Sequence, residues 1–204
     1  MDPVTSLALA AGLSWASGIR LYAVLFISGM LQATGYVTLP VSLQVLADPI
    51  VLAVSGFLVL CEFVADKIPA FDTLWDAINT FIRIPAGALL AVGALGPADA
   101  PAAIAAALLG GTLAGSSHLA KAGSRLLINT SPEPISNWTA SFSEDALVPA
   151  TLLLAFKYPL LLFAFLLVFF GLAIWLLPKL WRALAAFAAR VGGLLGWRGH
   201  NGVR

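Results

Sequence analysis

Residues 146–177 read ALVPATLLLAFKYPLLLFAFLLVFFGLAIWLL, an apolar run broken only by Lys157, Tyr158 and Pro159. As a single helix, 32 residues would be about 48 Å long at 1.5 Å per residue, against a hydrocarbon core of about 30 Å. Two membrane spans joined by a very short turn fit better, about Asn137–Phe156 and about Pro159–Leu177. Working outward from this pair, four more apolar runs of spanning length precede it: about Ser6–Leu31, about Ser42–Val64, about Asp72–Leu95 and about Pro101–Asn129. Gly35 and Pro40 follow the first, Gly96-Pro97 stops the third, and Pro101 opens the fourth. The reading is an all-α, polytopic membrane fold of about six transmembrane helices.

Composition agrees. The chain has 204 residues, 60% of them apolar and 10% charged, with a mean hydropathy of +0.96; soluble domains run nearer 45–50% and about 25%. A net charge of +1 removes a basic nucleic-acid binder or an acidic tail, and the apolar composition makes the lipid bilayer the expected partner. The lone Cys61 excludes a disulfide framework or a CxxC redox pair, and with only His118 and His200 no metal-ligand cluster, nucleotide loop or catalytic triad stands out. Neither an enzyme nor a cofactor is expected.

Residues 1–178 are expected to form the transmembrane domain, and 179–204 a basic, amphipathic cytoplasmic tail carrying Lys179, Arg182, Arg190, Arg198 and Arg204 among Trp181, Phe187 and Trp197. Six spans then place the N-terminus on the cytoplasmic side too, with the loops around Lys67 and around 125–137. Met1–Thr5 lacks a charged leader region, so the first span is expected to be retained.

Ionisable side chains inside a bilayer cost a few kcal/mol each, about 2.5–3.5 at a helix centre, and so need partners or a hydrated cavity. Arg20 lies near the middle of the first span. Glu62 and Asp66, at i and i+4, share a helix face and lead into Lys67; Asp76 and Arg83 share another, at i and i+7. Asp72 reads as a helix cap. His118, Lys121, Arg125 and Asn129 form a basic stripe on one face of the fourth helix, below Gly110, Gly111 and Gly115, where a GxxxG segment permits close helix approach. His118 can titrate near neutral pH or simply hydrogen-bond. The last group is Glu133 in a proline-stiffened loop, then Asn137, Ser141, Glu144 and Asp145 at the start of the fifth helix. These fifteen residues, from Arg20 to Asp145 without Asp72, are the candidate substrate- or ion-binding set.

The segment Ser17-Gly18-Ile19-Arg20-Leu21 resembles Ala122-Gly123-Ser124-Arg125-Leu126, and Glu62 and Asp66 answer to Glu144 and Asp145. This faint duplication reads as two inverted three-helix repeats, with a site at their interface.

Two longer motifs carry a resemblance. The run Glu62-Phe63-Val64-Ala65-Asp66-Lys67-Ile68-Pro69-Ala70-Phe71-Asp72-Thr73-Leu74-Trp75-Asp76, continuing to Arg83 and Pro85, is similar to one signature of a bacterial integral-membrane family catalogued only as a domain of unknown function. His118-Leu119-Ala120-Lys121-Ala122-Gly123-Ser124-Arg125, with Asn129, Ser131-Pro132-Glu133-Pro134, Ser136-Asn137, Ser141 and Glu144-Asp145, resembles its second. The resemblance implies a small multi-pass protein of the bacterial inner membrane and brings no activity, substrate or cofactor with it.

The mixed charges are best explained by a transporter or channel that moves a small ion or charged solute through a polar seam between helices. The alternatives are a non-transporting scaffold or accessory subunit whose charges are interhelical salt bridges and, further off, a lipid-processing enzyme with no identifiable nucleophile. Small-residue faces at Gly87/Gly93 and Gly111/Gly115 suit tight packing within one chain or in a homo-oligomer.

Overall fold

The computed structural model describes residues 2–68, 71–129 and 134–194; Glu133, Trp197, Arg198 and Arg204 lie outside them, as do the side chains of Trp181, Phe187 and Arg190. Helices occur at all six expected places: α1 (Pro3–Ala33), α2 (Pro49–Ala65), α3 (Phe71–Leu95), α4 (Ala100–Ile128), α5 (Pro134–Lys157) and α6 (Pro159–Leu194), with a 3-10 segment at Val41–Ala47. Three helix starts follow one recipe. Asp2, Asp48 and Asp99 each precede a proline in the first turn, and each carboxylate accepts an otherwise orphaned N–H, from Thr5, Ile50 and Ala102 respectively. Gly35 (φ 72°) and Gly96 (φ 75°) adopt the left-handed conformation just after α1 and α3, where a side chain would be strained.

By length and composition, four helices can cross a membrane: α1, α3, α4 and the Pro159–Leu176 part of α6. Counting the 3-10 segment with α2, bent by 68°, there are five. These are the helices of a multi-pass membrane protein. The stretch read as the second span, about Ser42–Val64, is bent: Asp48 caps a new helix at Pro49, whose missing N–H ends the preceding ladder. In α5, Glu144 and Asp145 stand just before the apolar run that starts at Ala146.

The larger correction concerns α1. Its backbone leaves helical geometry at Arg20 (φ −142°, ψ 85°). Leu9 and Leu31 are 22 positions apart, about 33 Å along a straight helix. Yet they line cavities of about 230 and 210 Å3 that share Tyr36, Val37, Phe156 and Lys157. Thr5 and Thr38 line the first cavity as well. The chain therefore turns back at Arg20. Residues 3–19 form one arm, which descends beside α4. Residues 21–33 form a second, which returns along α2, with Phe26 against Gly56 and Gly29 against Leu46 and Leu52. Both arms reach the Tyr36–Lys157 end of this unit. The N-terminus thus lies at the end opposite Lys67, contrary to the sequence expectation that put the two together.

The hairpin is the centre of the compact unit formed by residues 1–163. Gly18 explains the close fit: a Cβ there would collide with Ser117 Oγ and the Ala114 carbonyl. The tight α3–α4 crossing uses Gly87 and Gly110, where a Cβ on Gly110 would lie 2.6 Å from the Gly87 carbonyl oxygen. Gly111 and Gly115 have ordinary clearances of 3.7 Å, so the GxxxG pair read from sequence is not the close approach.

The second unit, residues 164–204, continues α6 as unbroken helix to Leu194. The sequence-based division between Pro178 and Lys179 falls inside that helix. Leu167, Val168, Leu172, Ile174 and Trp175 are exposed apolar side chains, and the Lys179 ammonium lies 3.2 Å above the Trp175 ring centroid.

Candidate functional site

Hydrophobic burial brings the helices together, and the charges carried on their inner faces must then find one another. Glu62, Asp66, Asp76, Arg20, Arg83, Lys121 and Arg125 are all at most 4% exposed. They divide into two linked parts.

The first part centres on Arg83 of α3. Its guanidinium donates to Glu62 Oε1 at 2.5 Å and to Asp76 Oδ1 at 2.7 Å. The i, i+7 spacing read from the sequence is thus a direct bond. Arg83 Nη1 also lies 3.0 Å from His118 Nδ1. Because an arginine only donates, Nδ1 accepts, and the imidazole is assigned as the neutral Nε2–H tautomer. Its Nε2–H then donates to Thr80 Oγ1 at 2.6 Å, while Thr80 donates to the Asp76 carbonyl.

The second part lies at the turn of the α1 hairpin. Lys121 Nζ is its hub, donating to the Ile19 carbonyl (3.2 Å) and pairing with Asp66 Oδ2 (3.0 Å), Glu144 Oε2 (3.3 Å) and Asp76 Oδ1 (3.5 Å). The Ile19 carbonyl ends the first arm, so a cation there also meets the negative end of a helix dipole. Arg20 Nη2 pairs with Asp66 Oδ2 (3.0 Å) and Asp145 Oδ1 (3.1 Å), and donates to Ser141 Oγ (3.0 Å). Arg125 pairs with Glu144 Oε1 (3.0 Å) and donates to the carbonyls of Asp66 (3.3 Å) and Asn137 (3.0 Å), and to Asn137 Oδ1.

Half-buried Lys67 borders this part, 3.9 Å from Asp145 Oδ2 and 3.0 Å above the Phe63 ring centroid. Burial pushes its ammonium below the usual lysine range despite Asp145. Asp66 stands one residue past the α2 span. Burial raises its carboxyl, but Lys121 and Arg20 outweigh that and hold it below the usual carboxylate value. Within this network Glu62 Oε2, Asp66 Oδ1, Asp76 Oδ2, Arg20 Nε and Asn137 Nδ2 are buried without a hydrogen-bond partner among the described residues.

Of the fifteen sequence candidates, fourteen lie among the described residues, and thirteen of those join these two parts. Asn129 stands apart with Asp72, donating to both its carboxylate oxygens (3.0 and 3.1 Å). Asp72 is fully buried and also accepts from the Thr73 N–H; it lies inside the first turn of α3, after Phe71, and so is not the helix cap that the sequence suggests. Sequence reasoning missed Thr80, and missed Tyr22 and Asn79, which bond to each other at 2.9 Å; single hydroxyl and amide residues in apolar helices carry no distinguishing signal. It also missed the far end, where Lys157 donates to the Tyr36 hydroxyl at 3.0 Å. That bond lowers the Tyr36 phenol and raises the Lys157 ammonium from their usual values. The paired segments 17–21 and 122–126 differ in backbone, the first containing the turn and the second being regular helix.

Chemically the arrangement alternates cations and carboxylates, so no three His, Cys, Asp or Glu side chains converge as a metal-binding group among the described residues. Among curated proteins and among solved structures, none matches this chain. A family model does match, over residues 7–179, and the chain belongs to that family, described as a domain of unknown function (DUF4126).

Proposed function

We propose that this protein is a small transporter or channel of the bacterial inner membrane, moving a small ion or charged solute through the polar seam between α1, α3, α4 and α5. One observation carries the reading: a helix broken at Arg20, inside an apolar bundle, whose freed Ile19 carbonyl and turning arginine are held by charges from α4, from α5 and from the C-terminal cap of α2. Broken helices that present backbone ends and charges at mid-depth are a recurrent way of building an ion site in transporters. Isolated structural salt bridges need no such break. Arg20 and Arg125 share one carboxylate, Glu144, at 3.8 and 3.0 Å, which also suits an inverted-repeat origin. The positive-inside rule favours the cytoplasm for the Lys67 loop, near Arg125, and separately for the basic C-terminal sequence. On that orientation the Tyr36–Lys157 end faces outward.

The scaffold reading draws on the Arg83–Glu62–Asp76 triad, whose ion pairs join α2 to α3 directly; the hub around Lys121 is what it leaves unexplained. Thermal stability of the purified full chain in detergent separates the two readings, with wild type beside Asp66→Asn, against sodium, potassium, chloride, acetate and phosphate. A binding site is expected to give a rise in Tm with at least one of these ions in wild type, and a rise of different size in a variant of similar basal Tm. No rise with any of the five, together with early melting of the variant, would support the scaffold.

A further inference from the structure

The identity of the cargo can be argued further, on the basis of the transport reading above. Asp66 Oδ2 receives Arg20 Nη2 and Lys121 Nζ, each at 3.0 Å, while Arg125 Nη1 holds the backbone carbonyl of the same residue at 3.3 Å. One carboxylate oxygen therefore occupies a ready-made oxyanion position formed by two buried cations, with a third alongside. Asp66 is the residue after α2, at its C-terminal cap, where a side chain can swing with little cost to the helix. Its Oδ1 and Arg20 Nε, both buried, have no hydrogen-bond partner among the described residues, so the position is not fully used by its present occupant. The cations keep other partners if Asp66 leaves: Arg20 has Asp145, and Lys121 has Glu144 and Asp76.

We infer that the cargo is a monoanionic oxyanion, a carboxylate or a phosphodiester, that displaces the Asp66 carboxylate from Arg20 and Lys121, and that Asp66 takes up one proton as it is displaced. Charge balance requires the proton. The groups facing Asp66 are Arg20 from α1, Glu62 on its own helix, Asp76 and Arg83 from α3, Lys121 and Arg125 from α4, and Glu144 and Asp145 from α5, with Lys67 beside it. Five cations and five carboxylates, Asp66 included, already cancel. An added anion leaves one excess negative charge in a buried site, and the carboxylate that has just lost its cations is the one that neutralises. The proton comes from solvent, forms an O–H bond on Asp66, and returns when the anion leaves. Anion and proton thus bind together.

Calorimetric titration of the full chain in detergent with acetate, a free carboxylate, and with dimethyl phosphate, which has the chemistry of a lipid phosphodiester, tests this directly. Neither probe titrates between pH 6 and 8, so repeating the titration in buffers of different ionisation enthalpy counts protons. The expected result is about one proton taken up per anion, with affinity falling about tenfold per pH unit. Asp66→Asn is expected to bind the same probe with no proton uptake and no pH dependence. The probe that binds identifies the source. Binding without proton uptake in wild type, or no binding of either probe at 100 mM, would overturn the inference. Sodium- or potassium-specific flux in liposomes alongside either result would leave the transport reading standing; bound oxyanion with no flux of any ion would remove transport and keep the site.

Discussion

Replacing Arg83 with methionine removes the centre of the Arg83–Glu62–Asp76 triad while keeping most of its apolar bulk. In the native protein Glu62 is fully buried and its ion pair is with Arg83, at 2.5 Å; Asp76 retains Lys121 at 3.5 Å. The substitution therefore strands one buried carboxylate. Breaking a buried pair from one side costs about 3–5 kcal/mol, because the remaining charge has neither water nor a partner. For a chain of this size each kcal/mol moves Tm by about 2–4 °C, so a fall of roughly 6–20 °C is expected for Arg83→Met in detergent. Neutralising the stranded group should reverse much of it, and the double variant Glu62→Gln/Arg83→Met is expected to recover more than half of the loss. Differential scanning fluorimetry on the two single variants, the double and wild type completes the cycle. Arg83→Met melting within about 2 °C of wild type, or a double variant melting lower than Arg83→Met, would refute the reasoning that these charges are dry and paired.

Gly18→Ala is expected to destabilise by about 1–3 kcal/mol through overpacking against Ser117 and the Ala114 carbonyl, whereas Gly123→Ala, where a Cβ meets nothing, should be neutral; equal Tm values for the two would contradict the hairpin's fit against α4. With Cys61 replaced by alanine, single cysteines at Thr5 and at Lys67 are expected to label from opposite faces of oriented membrane vesicles, and labelling from the same face would restore a single-crossing α1. Asp66 also sets an acid limit. Its folded carboxyl lies below its unfolded value of about 4, so its contribution to stability is full above that value and is lost as pH falls through the folded one. Wild type is therefore expected to lose Tm more steeply than Asp66→Asn below about pH 4, and parallel curves would mean that Asp66 is not held by Lys121 and Arg20.

The polar set was legible because charge inside apolar runs is conspicuous: Glu62, Asp76, Arg83, Lys121 and Arg125 were each marked by their hydropathic surroundings, and the i, i+4 and i, i+7 spacings correctly grouped them by face. The caps at Asp48-Pro49 and Asp99 through Pro101 are readable on the same local grounds, although the apolar run around the first hides it. The reversal at Arg20 left no such mark. Hydropathy is blind to chain direction, and a hairpin of two apolar arms has the composition of one long span; the one sequence symptom was that Ser6–Leu31 exceeds the roughly 20 residues a crossing needs. The close approaches are only partly legible for a related reason: Gly87, Gly93 and Gly110 do meet neighbours closely, whereas Gly111 and Gly115 do not. Gly87 and Gly110 meet across two helices, and no one-helix motif such as GxxxG records which glycine the neighbour chooses.

Flux through proteoliposomes, measured side by side with Tm for wild type and Asp66→Asn, tests the central claim most directly. The account expects a pH gradient to drive uptake of acetate or dimethyl phosphate by wild type above protein-free vesicles, and a loss of at least tenfold in a variant that remains folded. Equal flux from both proteins would contradict it, as would a folded wild type that moves neither ion.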